Sequence, residues 1–231
     1  MLFYGIDIWY IVLVLPAIIL SLIASTAVNS TFKKYSKVAS RRGTTGADAA
    51  QQVLSANGVN GVRIEHVSGN LTDHFDPKTN TIRLSDSVYS STSVAAVGVA
   101  AHEAGHAVQY AKNYAPMKVR AAIIPITNIG SNLAMPLVLL GILLSAPVLA
   151  NIGILAFSFS TLFQLVTLPV EFNASKRAVD AIEGFAADES EVKAAKKVLT
   201  AAASTYVAAL AVSLANLLRL VLIVNGGRRR R

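Results

Sequence analysis

The chain has no cysteine. That excludes a disulfide framework, a thiolate zinc site and a cysteine nucleophile, although it fixes no compartment. Charge is scarce as well. Asp, Glu, Lys and Arg make up 15% of the residues, against about 25% in ordinary soluble domains. Acids are the scarcer sign, 13 against 21 bases, and the net charge is +8. Such an excess of base raises the question of nucleic acid. However, the basic runs, Lys33, Lys34, Lys37, Arg41 and Arg42 and then Arg228–Arg231, each flank an apolar segment. That placement favours anchoring against anionic lipid, and no nucleic-acid partner is expected.

Apolar residues are plentiful, at 53% of the chain, and they are concentrated in runs. Ile8 to Val28 carries no charge and is long enough to cross a hydrocarbon core of about 30 Å. Trp9 and Tyr10 stand at its start, where amphipathic rings favour the interface. The segment before it carries Asp7 and no lysine or arginine, so the positive n-region of a signal peptide is missing and an uncleaved anchor is expected. A second uncharged stretch covers residues 121–170, too long for one span and sufficient for two. Spans are predicted at about Ile129–Ala146 and Ile152–Val170, with the turn at Pro147 to Asn151. Pro125, Pro136 and Pro169 are read as kinks or boundaries. Val198 to Leu218 is a further uncharged run and supplies a fourth span. The basic cluster after the first span should stay cytoplasmic, which puts the N-terminus outside. Four spans would then carry Arg228–Arg231 outside as well, against the charge rule, so the last segment either crosses or lies against the protein or the interface.

The expected organisation is an N-terminal transmembrane anchor (1–28), a cytoplasmic part with a small sheet (29–120), a transmembrane hairpin (121–170), a charged helix (171–197) and a C-terminal hydrophobic helix with a basic tail (198–231). Within 29–120, Thr45 is a helix cap for roughly Gly46 to Ala56, closed by Asn57-Gly58. Val62 to Val67 alternates apolar and polar residues and reads as a strand. Leu71 to Phe75 is a second short strand and Thr81 to Leu84 a third, with Asp76-Pro77-Lys78-Thr79-Asn80 as the turn between them. A small sheet with hairpins is expected before the helix that follows. Ser91-Thr92-Ser93 offers N-cap residues for a helix from about Val94 to Ala111.

That helix carries Ala101-His102-Glu103-Ala104-Gly105-His106. His102 and His106 are one turn apart and share a face. Two imidazoles so placed can bind one zinc ion, with Glu103 beside the open position where a general base belongs. Zinc acidifies its water toward a pKa of about 7 and polarises the scissile carbonyl. Glu103 can take the proton and pass it to the leaving amine. Strands precede the helix, as in zinc proteases, where an edge strand binds the substrate backbone by strand addition. The motif also lies between membrane spans, where buried charge is costly unless functional.

A third ligand has to come from elsewhere. His66 and His74 lie upstream and read mainly as surface residues. The downstream acids are Glu171, Asp180, Glu183, Asp188, Glu189 and Glu191. Glu171 stands out because it ends a span and begins a helix, so a hairpin can return it to the histidines. A plain acid at a helix start is the alternative. Asp188, Glu189 and Glu191 read as a solvated face. Arg177 is a candidate for the transition state or for a supporting contact behind the ligands, and a juxtamembrane cation otherwise. His74 shares that secondary candidacy. Asp73, Asp76 and Tyr89 read as loop residues.

The stretches Asp73 to Ser85, Val99 to Gln109 and Pro169 to Ala178 together resemble the bacterial YugP-type neutral zinc metallopeptidases, and the likeness covers nearly the whole chain. The resemblance implies a mainly α, membrane-embedded zincin-like metalloprotease with a small β-sheet and about four transmembrane helices. It implies zinc on His102, His106 and Glu171, with Glu103 catalytic. It places the protein in a bacterial-type cell membrane with a polypeptide substrate. The chain is similar, more distantly, to the heat-shock and prenyl-protein membrane zinc proteases. Those carry an acid four positions after the ligand glutamate, where this chain has Ser175. The expected activity is peptide-bond hydrolysis on the cytoplasmic side, on segments of membrane proteins and in the manner of quality-control proteases. The rival classes are a non-catalytic zinc-binding membrane protein and a membrane scaffold.

Overall fold

A computed structural model describes residues 7–228. The chain is mainly helical with one small sheet, in the order α1 (Leu15–Tyr35), α2 (Gly46–Ala56), β1 (Arg63–Val67), β2 (His74–Asp76), β3 (Thr81–Ser85), α3 (Val94–Ala111), α4 (Ala115–Leu143), α5 (Pro147–Phe185) and α6 (Glu189–Arg228). A π-helical turn, Tyr10–Val14, leads into α1. Four helical segments are long and apolar enough to cross a membrane: Tyr10–Tyr35, Ala115–Leu143, Pro147–Phe185 and Glu189–Gly226. The residues fall into two compact units.

One unit takes in residues 7–24, 118–168 and 205–228. Glycines let α4 and α5 approach closely. A Cβ at Gly130 would stand 2.8 Å from the Ala156 carbonyl oxygen, and one at Gly153 would stand 2.8 Å from that of Ala134. Small residues at such crossings permit backbone-to-backbone packing where no hydrophobic drive separates lipid from protein. Val138, Ala150, Leu220 and Val224 form a buried cluster across α4, α5 and α6. Thr161 and Ser213 hydroxyls meet at 2.8 Å. Arg219 donates to Asp7 Oδ2 from Nε at 2.9 Å and Nη2 at 2.6 Å, and its guanidinium lies over the Tyr10 ring. The start of the first span and the end of the last are thus joined. Arg229–Arg231 of the basic tail lie outside the described residues.

Prolines do not divide these helices as the sequence suggests. Pro125 and Pro136 lie inside α4 and Pro169 inside α5. Proline removes one backbone donor, but neighbouring helices and local adjustments tolerate that in apolar spans. The hairpin turn falls at residues 144–146, before Pro147, with Ser145 in the left-handed region at φ 52°. Pro147 opens α5, a position where its missing N–H costs nothing.

The other unit takes in residues 25–117 and 169–204. Its core packs α2, α3 and β3 with Ala178, Ile182, Ala195 and Leu199. The capping box on α2 is complete: Thr45 Oγ1 accepts from Asp48 N–H at 3.1 Å, and Asp48 Oδ2 accepts from Thr45 N–H at 3.0 Å. Ser93 caps α3 by accepting from Ala96 N–H. Both helices start and end where the sequence places them.

The small sheet holds one hairpin and one parallel pair. β2 and β3 do form an antiparallel hairpin, with Phe75 opposite Ile82. β1 instead pairs with β3 in parallel, Ile64 opposite Ile82, giving the order β1-β3-β2. β3 is central because it is the strand whose residues are nearly all buried, with Ile82 and Leu84 fully so. β1 and β2 are the edge strands.

Candidate metal centre

Two helices build the site. α3 supplies His102, Glu103 and His106; α5 supplies Glu171 and Ser175. α3 is packed with small residues, Ala101, Ala104, Gly105 and Ala107 among them, and all four are buried. That lets α5 come close. Glu171 lies well inside α5 rather than at a helix start, because the helix runs unbroken through Pro169. The change from apolar to charged composition at that point marks the edge of the apolar run, and both compositions favour helix.

His102 Nε2 stands 3.2 Å from Glu171 Oε2, and His106 Nε2 stands 3.4 Å from the same oxygen. The imidazole rings are 4.7 Å apart between centroids and nearly perpendicular. One ligand atom from each of the three residues lies within 4.8 Å of the others. Donors held at about 2.0–2.1 Å around a tetrahedral zinc lie roughly 3.3 Å apart. The spacing, and the set of two imidazole nitrogens and one carboxylate oxygen, therefore fit a zinc ion. Glu171 is 2% exposed, and a carboxylate so buried requires positive charge or donors around it. Burial pushes the His106 imidazolium down. The Glu171 hydrogen bond, the charges of Glu103 and Glu171, and the Gln109 oxygen outweigh it and hold its pKa above the ordinary value. The centre of the cluster thus favours a cation.

Glu103 stands beside the cluster and outside it. Its Oε2 accepts from the Phe75 N–H of the edge strand at 3.0 Å. The Phe75 ring meets Tyr110 at 5.8 Å, seven residues along the helix from Glu103 and half exposed. The edge strand, the carboxylate and an aromatic pair therefore border one another.

Behind the ligands runs a chain of hydrogen bonds whose direction is fixed by its ends. Arg177 Nε, which can only donate, gives to Asn173 Oδ1 at 2.8 Å. Gln109 Nε2 gives to the same oxygen at 3.0 Å and to the Val170 carbonyl at 2.7 Å. Both partners accept, so the Gln109 amide nitrogen must face them. Its oxygen then faces His106 Nδ1 at 3.0 Å and must receive a proton from it. With that proton on Nδ1, the neutral imidazole carries its lone pair on Nε2, where a metal would take it, and the imidazolium donates from Nε2 to Glu171. Gln109 is fully buried. On His102, Nδ1 meets the Ser175 hydroxyl at 3.1 Å. Both contacts behind the histidines are therefore uncharged.

Arg177 belongs to this chain of contacts through Nε. His74 sits on the edge strand next to Phe75, exposed, with Nδ1 against the Thr72 carbonyl at 2.9 Å. His66 is exposed and paired with Asp86 at 2.6 Å. Asp180 and Glu183 are exposed. Asp73 accepts from Ser85 and Asp76 from Lys78, Thr79 and Arg83, so both brace the hairpin. Glu191 corrects the solvated-face reading. It is 7% exposed and accepts from Arg41 N–H at 2.7 Å, so it ties the loop after α1 to α6. Asp188 pairs with Arg41 and accepts from Ser190 and Glu191 at the helix start. Gln109 and Asn173 were not singled out by sequence; the available signal was the placement of Gln109 one turn after His106.

Residues 10–225 match the family model described as "Putative neutral zinc metallopeptidase". The chain is 47% identical over 221 residues to "Putative membrane protease YugP" of Bacillus subtilis (strain 168), covering 95% of this chain and 98% of that protein. No solved structure matches.

Proposed function

The chain belongs to this zinc metallopeptidase family, and from that premise we propose that it is a membrane endopeptidase with zinc on His102, His106 and Glu171 and Glu103 as general base. The observation that carries the reading is the convergence of those three donors beside a carboxylate held by an edge strand. Zinc held there would supply a Lewis acid that acidifies water and polarises the scissile carbonyl. Glu103 takes the proton of the attacking water on its carboxylate and returns it to the leaving amine nitrogen. The Phe75 N–H holds one Glu103 oxygen and aims the other. The substrate backbone lies along the outer edge of β2, pairing with the backbone groups that Glu103 does not hold, and such pairing needs no particular sequence. Gln109 and Ser175 hold the two imidazoles in the orientation that turns Nε2 to the metal.

The active centre faces the cytoplasm in this reading. Lys33 and Lys34 stand in the last turn of the first of the four spanning helices, with Lys37, Arg41 and Arg42 after it; Lys112 and Lys118 flank the start of the second, and Lys193, Lys196 and Lys197 stand in the first turns of the last. The opposite ends of the first and last spans carry Asp7 paired with Arg219, and the arginine run follows in sequence. Basic residues near span ends are counted on the inside, and the larger set is on the catalytic side. The substrate class is polypeptide, drawn from membrane-protein segments in a quality-control role.

Glu103→Gln tests the mechanism. In detergent, a peptide library should be cut by the wild type, and the variant should lose about 10²–10⁴-fold in rate while keeping its zinc. Intact cleavage by Glu103→Gln overturns the mechanism. Zinc without cleavage in the wild type would mark a binding protein, and folded protein without zinc a scaffold.

A further inference from the structure

A groove of about 660 Å³ opens between the end of α1 and the start of α6, away from the three-donor cluster. Four lysines line it, Lys34 from α1 and Lys193, Lys196 and Lys197 from α6, and no acid does. Lys193 is paired with Glu189 one turn away at 2.9 Å. Lys34, Lys196 and Lys197 form no ion pair among the described residues. Three uncompensated cations around one concavity are mutually repulsive and call for an anion.

The groove is graded along its length. Thr31 lies one turn before Lys34, and Thr200, Ala201 and Ser204 lie one and two turns after the α6 lysines. Both helices then continue into apolar runs that qualify as membrane spans. α1 approaches the groove from its apolar run and α6 leaves into its own, so the lysines of both stand at the end where charge begins. A ligand that fits carries a negative group at one end, polar oxygens next to it and hydrocarbon beyond.

We propose that this groove is a binding site for an anionic phospholipid, with Lys34, Lys196 and Lys197 on the phosphate and Thr31, Thr200 and Ser204 along the ester region. Basic pockets between membrane helices take such headgroups. An occupant there ties the two helices that carry the chain's ends at the level where they leave the bilayer. The site is independent of the peptidase reading.

The test uses the full-length protein in detergent, mixed with phosphatidylglycerol or phosphatidylcholine, with bound lipid counted by native mass spectrometry. Wild type should retain phosphatidylglycerol in preference to phosphatidylcholine. Each lysine removed should weaken retention about fivefold, and Lys34→Gln with Lys196→Gln and Lys197→Gln should weaken it roughly a hundredfold. Removing the same charge outside the groove, with Lys33→Gln, Lys37→Gln and Lys112→Gln, should leave it unchanged. Ala201→Trp fills the groove with every lysine in place and should also abolish retention. Equal loss in the control triple, or full retention in Ala201→Trp, would overturn the proposal. So would displacement of the lipid by inorganic phosphate, which would mark a site for the free anion.

Discussion

Gly105 packs directly on the backbone of Ala174: a Cβ built at Gly105 would stand 2.7 Å from the Ala174 carbonyl oxygen. Gly105 lies between the two histidines in sequence, and Ala174 lies between Glu171 and Ser175. The absent side chain is therefore what lets the third donor and the His102 partner reach α3. Gly105→Ala places a methyl against a backbone atom that cannot rotate away. Overpacking of this kind costs about 1–3 kcal/mol, here by forcing α5 outward. The expected result is a lower melting temperature together with weakened zinc binding, read by thermal unfolding and zinc competition. A variant that binds zinc as the wild type does would show that the contact does not set the site.

Local features of the site could be read from sequence because they depend on spacing along one helix. The i, i+4 histidines, the Ser93 cap and the bounds of α3 are all of that kind. The four spans were legible from composition. Long-range pairing was not. Nothing in Val62 to Val67 says that its partner is β3 in parallel, since alternation gives the buried face and says nothing about the neighbour. Glu191 carries no local sign of burial, because its partner Arg41 N–H lies 150 positions away. Glu171 could be picked out, but on the assumption that a helix begins there. It reaches the histidines from the middle of α5 instead.

Gln109 offers a test of the uncharged contact behind His106. Gln109→Met keeps the volume and removes the acceptor, which leaves the His106 Nδ1 proton buried without a partner. Loss of such a contact behind a ligand typically costs 10–100-fold in metal affinity. Gln109→Glu restores an acceptor toward Nδ1 and loses the donor toward Val170 and Asn173. Zinc competition in the Glu103→Gln background should therefore rank wild type first, Gln109→Glu second and Gln109→Met last. If Gln109→Met equals the wild type, the amide does not orient His106.

Asp76 gives the hairpin a pH dependence of known sign. The Thr79 hydroxyl first, then the Lys78 N–H and the Arg83 guanidinium, lower its pKa from 3.8 to about 2. A carboxylate whose folded pKa is depressed contributes stability that is fully present above its unfolded value, and that stability is lost as pH falls through the folded one. The window runs from roughly pH 4 down to about pH 2. Asp76→Asn should melt earlier than the wild type at neutral pH, and the two curves should converge as pH falls through that window. A gap that stays constant to pH 2 would assign the effect to something other than the carboxylate charge.

Removal of zinc and removal of Glu171 should have linked effects. Glu171 is a buried carboxylate facing two imidazoles, and a divalent ion between the three donors satisfies all of them at once. A ligand bound only by the folded state raises stability by RT ln(1 + [L]/Kd), about 4 kcal/mol at a thousandfold excess over Kd. Chelator-treated protein should therefore melt earlier, and added zinc should restore the transition. Glu171→Ala should still fold, since the change deletes the buried charge together with its need for partners. Its melting temperature should no longer respond to zinc over the range that saturates the wild type, and its zinc content after dialysis should fall. Glu171→Gln keeps the shape and one acceptor oxygen while removing the charge, so it should lie between the two. Wild-type zinc affinity in Glu171→Ala would take the ligand role from Glu171 and leave His102 and His106 to find their third donor among the other acids or His74.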